Sequence, residues 1–132
     1  MDNDEFDEFI KTLNINLAEL EKSGAFFLTL GYSHFLKGAE LTILEVLETN
    51  FTGNSSDETT LLGQQFVVIG YTLLYIVASK RYYEKKCRTS EDNKTINLIP
   101  YKIIVESYFL SIVCNYRRYV AFSQILKNLS ED

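Results

Sequence analysis

Four long segments of the chain place apolar residues at helical spacing, and polar stretches separate them. In the first segment the apolar residues follow one another at steps of three and four: Phe6, Ile10, Leu13, Leu17 and Leu20. This is the spacing of one face of a helix. The pattern predicts helices at about 4–22, 25–49, 58–88 and 100–129. Ser23 and Gly24 are interpreted as the joint between the first two helices.

Two polar stretches, 50–60 and 89–97, are predicted to be loops. Pro100 suits the first turn of the last helix, where a missing backbone N–H costs nothing. Short polar connections between long helices place sequence neighbours antiparallel. We therefore predict an all-α protein, an antiparallel four-helix bundle with long helices, in which residues 1–132 form a single helical-bundle domain.

Glycines recur at steps of seven, at Gly24, Gly31 and Gly38 and again at Gly63 and Gly70, and all of them except Gly24 lie inside the predicted helices. Each glycine inside a helix costs about 1 kcal/mol relative to alanine, so some contact must offset the loss. Small residues on one helix face allow a second helix to approach closely. We predict that the second and third helices approach most closely along Gly31, Gly38, Gly63 and Gly70.

Composition limits the class of protein. Hydrophobic residues make up 46% of the 132 residues and there is one proline, which favours a folded helical chain over a disordered one. The first ten residues are acidic, unlike the basic start of a secretory signal. Neither of the two cysteines, Cys87 and Cys114, belongs to a Cys-x-x-Cys pair. We expect a reduced, cytoplasmic protein.

The predicted last helix is apolar over most of its circumference, more than a helix of a solvated monomer normally is. Five of its six aromatic residues are the candidate interaction surface: Tyr101, Tyr108, Phe109, Tyr116 and Phe122. The sequence does not divide them between the core of the chain and a contact with a second chain. A homodimer would cover such a surface, because a twofold contact hides the same patch on both chains.

Lipid is the alternative cover for this surface. Residues 61–79 contain no charged side chain, and about 20 apolar residues are needed to cross a bilayer. Gln64, Gln65, Gly63 and Gly70 dilute that window, and the mean hydropathy of the chain is only −0.06. We expect a soluble protein and keep a membrane-associated or integral membrane protein as the alternative.

Residues able to support catalysis are few and scattered. His34 is the only histidine, which excludes sites built on several histidines, and no nucleotide-binding loop occurs. Cys114 lies in an apolar run and is interpreted as core, whereas Cys87 is interpreted as an exposed thiol. Glu106 is expected to pair with Lys102, one helical turn away. We expect no catalytic residues, no metal, no cofactor and no enzymatic activity.

A basic cluster follows the charge-free window: Lys80, Arg81, Lys85, Lys86 and Arg88. It is a candidate patch for an anionic partner. The pI near 4.9 argues against nucleic acid as that partner. The leading hypothesis is a non-enzymatic helical protein–protein interaction module, self-associating and serving as a regulator, adaptor or immunity-type protein for an unidentified protein partner. A small-molecule-binding helical protein is the third hypothesis.

Overall fold

A computed structural model describes residues 2–91 and 95–131, without the side chains of residues 90 and 91. Within these residues the chain is 89% helical and has no strand. The helices are α1 (Asn3–Val46), α2 (Ser56–Glu91) and α3 (Ile99–Glu131). The predicted all-α class is confirmed. The predicted four-helix bundle is wrong, because the described part of the chain forms three helices.

The error lies at Ser23 and Gly24, which were interpreted as a joint but lie inside the continuous helix α1. The Ser23 hydroxyl donates a hydrogen bond to the Glu19 carbonyl 3.2 Å away, within the same helix. Gly24 is buried where α1 meets α2, and a Cβ at this position would lie 3.1 Å from the Gly70 carbonyl oxygen. The glycine serves close packing and does not end the helix.

The central helix is α2, which packs against α1 on one side and α3 on the other. Within the described residues, no Cα of α1 comes within 8 Å of a Cα of α3. The first predicted loop lies between α1 and α2, although α2 begins at Ser56. Of the second predicted loop, 89–97, residues 89–91 are helical, 95–97 are not, and 92–94 lie outside the described residues.

The contact between α1 and α2 is built on the heptad-spaced glycines. Gly31 faces Gly63, where an added Cβ would lie only 2.7 Å from the opposite carbonyl oxygen. Gly24 faces Gly70 in the same way, and Gly38 faces Thr60 near the start of α2. The predicted close approach along the glycines is confirmed. Backbones that lie this close leave no room for side chains between them.

The contact between α2 and α3 contains a buried polar pair. The Gln64 amide nitrogen donates to the side-chain oxygen of Asn115 at 2.9 Å and to its backbone oxygen at 3.1 Å. The Asn115 amide nitrogen donates in turn to the Ser111 carbonyl at 2.8 Å. Both residues of the pair are buried. Because a buried amide needs its partner, the pair favours one register of α3 on α2.

The connection between α1 and α2 is fixed by a carboxylate near the end of α1. The Ser56 hydroxyl and backbone N–H donate to Glu45 at 2.7 and 2.8 Å. These hydrogen bonds hold the pKa of Glu45 below its usual value, the hydroxyl contributing most. Ser55 caps α2 by accepting from the Glu58 N–H at 3.1 Å.

Candidate interaction surfaces

Side chains on the outer side of α2 form an apolar stripe with a step of seven residues. We call Leu62, Ile69, Ile76 and Tyr83 the outer stripe of α2. They are 36–64% exposed. The glycine side of α2 faces α1 and the side of Gln64 faces α3, so the outer stripe lies on the remaining side. A stripe with this spacing is typical of a helix that packs along another helix.

A groove of about 470 Å³ flanks the end of this stripe at Tyr83. Phe6, Phe9 and Leu13 of α1 line one wall of the groove. Glu84 and Arg88 of α2 line the other wall and form an ion pair at 3.4 Å. The apolar surface of α2 therefore continues onto the first turns of α1.

The candidate aromatic residues of α3 fall into two groups. Tyr101, Tyr108 and Phe122 are half-buried and share the heptad position of Asn115, which faces α2. The Tyr108 ring centroid lies 6.3 Å from that of Tyr71. Phe109 and Tyr116 are 52% and 56% exposed. Three of the five are thus half-buried against α2 and two are more exposed, although the Phe109 ring centroid lies 6.0 Å from that of Tyr75 on α2 and Tyr116 lines a cavity with Ile69.

The candidate anionic-partner patch is largely engaged within the chain. Arg81 forms an ion pair with Glu21 of α1, and Arg88 pairs with Glu84. The Lys85 ammonium lies 5.9 Å from the centroid of the Tyr101 ring. Lys80 and Lys86 are exposed. These contacts stabilise the end of α2 between its neighbours.

Tyr71 connects the two helix contacts. Its hydroxyl lies 3.2 Å from the hydroxyl of Tyr32 on α1, and its ring lies beside Tyr108 on α3. The hydrogen bond with Tyr32, together with partial burial, raises the pKa of Tyr71 to about 12. The neutral phenol of Tyr71 is therefore favoured at this position, beside Tyr32 of α1 and Tyr108 of α3.

The residues considered for catalysis lie at separate positions in the structure and do not form one site. The His34 Nδ1 atom lies 2.8 Å from the Leu30 carbonyl, a contact within its own helix. Among the described residues no group of three His, Cys, Asp or Glu side chains is arranged to hold a metal ion. Cys87 is exposed as expected, but the core interpretation of Cys114 is wrong, because that thiol is also exposed. Lys102 and Glu106 form the expected pair, at 3.8 Å.

One helix, over Ser56–Thr89, is long and apolar enough to cross a membrane by composition, and 39% of its most apolar window is buried. The neighbouring helices α1 and α3 carry charged residues at the same level along the helix axes as the apolar window of α2. Only the band between the Gly31–Gly63 and Gly24–Gly70 levels is uncharged on all three helices, a height of about 10 Å. A bilayer core is about 30 Å thick.

Comparison of the chain with protein-family models, curated proteins and solved structures gave no match. The geometry therefore carries the functional argument. Two of its features were missed from the sequence, namely the Gln64–Asn115 pair and the outer stripe of α2. The step of seven from Leu62 to Tyr83 was a readable signal for the stripe.

Proposed function

We propose that this chain is a non-enzymatic helical interaction module that works in the cytoplasm as a homodimer and binds a further protein as a regulator, adaptor or immunity-type protein. The exposed area carries the proposal. The chain exposes 9303 Å². A compact monomer of 15.3 kDa exposes about 7,100 Å², so the surplus is about 2,200 Å² per chain. The surplus exposed area of two chains together lies in the range of the total surface area that obligate homodimer interfaces bury.

The apolar character of the surplus exposed surface supports the same proposal. Large apolar side chains are exposed on each helix, for example Phe26 and Leu36 on α1, Ile69 on α2, and Leu110 and Tyr116 on α3. Contiguous apolar patches above a few hundred Å² mark interaction sites in soluble proteins. More than one face carries such residues, so a dimer leaves apolar surface for a second protein.

Sedimentation equilibrium in detergent-free buffer at micromolar concentration tests the proposal. We expect a single species of twice the chain mass of 15.3 kDa. A compact monomer that does not associate across that range would refute the homodimer, and the interaction module with it. Circular dichroism of the same sample controls for folding, since an unfolded chain would also fail to associate.

Membrane association is the second candidate, favoured by the apolar window in α2. Against it, a bilayer around that window would also enclose Glu21 and Lys22 of α1 and Glu106 of α3, and each charge at the centre of a bilayer is costly. Flotation with lipid vesicles separates the candidates. We expect the protein to stay in the aqueous fraction, and recovery with the vesicles would favour the membrane candidate.

A further inference from the structure

The outer stripe of α2 differs from the other exposed apolar residues in the sequence that flanks it. Its four members span 21 residues, or about 31 Å of helix. The exposed positions beside its middle, Gln65 and Thr72, are polar but uncharged. The stretch from Leu62 to Ser79 carries no charge, acidic residues lie at the start of α2, and the basic end of α2 begins at Lys80, between Ile76 and Tyr83. A helix could therefore lie along the stripe from Leu62 to Ile76 without burying a charge.

We propose that this stripe is the seam of an antiparallel twofold contact with the same stripe in a second copy of the chain. The proposal rests on the homodimer proposed above and adds its surface and its orientation. The twofold axis passes between Thr72 and Leu73. Ile69 then meets the partner's Ile76, and Leu62 meets the partner's Tyr83, so the apolar stripe covers itself completely.

The charges of α2 select the same orientation and the same register. Asp57 and Glu58 lie in the first turn, and the basic cluster begins at Lys80. An antiparallel contact centred between residues 72 and 73 brings Glu58 beside the basic end of the partner helix. A parallel contact would set acid against acid and base against base, which disfavours it. One register thus satisfies both the apolar and the charged positions.

The groove beside Tyr83 supports a second copy as the occupant. In the antiparallel register, the partner's Leu62 lies against Tyr83, where the groove lined by Phe6 and Phe9 offers apolar surface. The contact is isologous, so the same insertion occurs twice. It would cover part of the surplus surface on α2 and α1.

Charge insertion into the seam tests the surface. We expect Ile69→Glu to raise the dimer dissociation constant by at least roughly 30-fold, because the twofold axis buries two unpaired carboxylates. Leu36→Glu is the matched control, an exposed aliphatic residue on α1 away from the stripe, and it should leave dimerisation unchanged. Circular dichroism of both variants must match the wild type.

Spin-label distances test the orientation in a protein whose native cysteines are replaced by serine. Labels at Thr72→Cys should give the shortest distance between protomers. Labels at Gln65→Cys and Lys86→Cys should be separated along the seam by about 22 Å and about 40 Å, since each residue away from the axis adds about 3 Å. A parallel seam would instead give equal distances at all three positions.

The outcomes separate the two proposals. A monomeric wild type overturns both. A dimer that survives Ile69→Glu, dissociates with Leu36→Glu or shows no minimum at Thr72 overturns the seam, while the homodimer stands. Dissociation by Ile69→Glu alone, with the minimum at Thr72, supports the seam.

Discussion

The contact of α2 with α1 depends on absent side chains, whereas its contact with α3 depends on large ones. On the α1 side, opposed glycines allow the backbones to approach, and an added Cβ at Gly63 would lie 2.8 Å from a carbonyl oxygen. On the α3 side, the Gln64–Asn115 pair and tyrosine rings separate the backbones. The first contact tolerates no added volume, and the second tolerates no lost hydrogen bond.

This difference indicates how each contact is specified. Glycines opposite glycines fix the distance between two helices, because a closer or wider approach either clashes or leaves a void. Opposed glycines specify the register of the two helices poorly, because the glycines repeat every seven residues and a shift by one repeat places glycines opposite each other again. A single buried amide pair fixes register, because sliding α3 by one turn would leave both amides without partners. Substitutions on the two sides should therefore fail for different reasons.

The largest effect is expected on the glycine side. Gly63→Leu should lower the free energy of unfolding by about 2–3 kcal/mol, because its Cβ meets the Gly31 carbonyl and the His34 side chain. The better helix propensity of leucine offsets only about 1 kcal/mol. Chemical denaturation measures the change. Ala25→Leu, at an exposed position of α1, is the control and should be nearly neutral.

A smaller effect is expected on the amide side. Gln64→Leu should cost about 1–2 kcal/mol, because the Asn115 side-chain oxygen loses its donor in a buried site. The double variant Gln64→Leu with Asn115→Leu should recover most of that stability, since both partners then become apolar. Denaturation of the two single variants and the double variant gives the coupling energy. Purely additive losses would mean that the pair does not act as a unit.

Tyr71, which touches both sides, allows a spectroscopic test. In the folded protein the pKa of Tyr71 is raised to about 12 from the ordinary value of 10.0. The protonated phenol therefore stabilises the folded state below pH 10, and this contribution is lost as the pH rises from 10 to 12. Tyrosinate absorbance in the wild type should include a late-titrating phenol, that of Tyr71. Tyr32→Phe removes the hydrogen bond and should lower that pKa toward 10.0. An unchanged titration would contradict the contact between the two hydroxyls.

The smallest effect is expected at the carboxylate that joins α1 to α2. The pKa of Glu45 is lowered in the folded protein, so its contribution is present above the ordinary value of 4.5 and is lost as the pH falls below it. Glu45→Gln should reduce the melting temperature at pH 7 and leave it nearly unchanged at pH 3. A difference that persists at pH 3 would point to a role other than charge.

The helices and the glycine contact could be predicted because their signals are local. Apolar spacing reports a helix face, and repeated glycines inside helices are costly unless something packs on them. The joint at Gly24 was predicted wrongly because glycine marks both helix ends and close contacts. Only the position of Gly70 on the opposite helix distinguishes the two cases.

The candidate surface was predictable only in part. The excess of apolar residues on the last helix was visible, but the separation of Tyr108 from Phe109 depends on which face meets α2. The Gln64–Asn115 pair joins residues 51 positions apart, and neither residue is unusual in its local sequence. Long-range pairing of ordinary residues leaves no periodic signal.

The serial order of the helices has a kinetic consequence. Each helix contacts its neighbour in sequence, and within the described residues α1 and α3 do not pack together. Such a chain has a low relative contact order and needs only two hairpin closures, each entropically cheap. Folding within a chain should therefore be fast, and association should become the slow, concentration-dependent step of assembly.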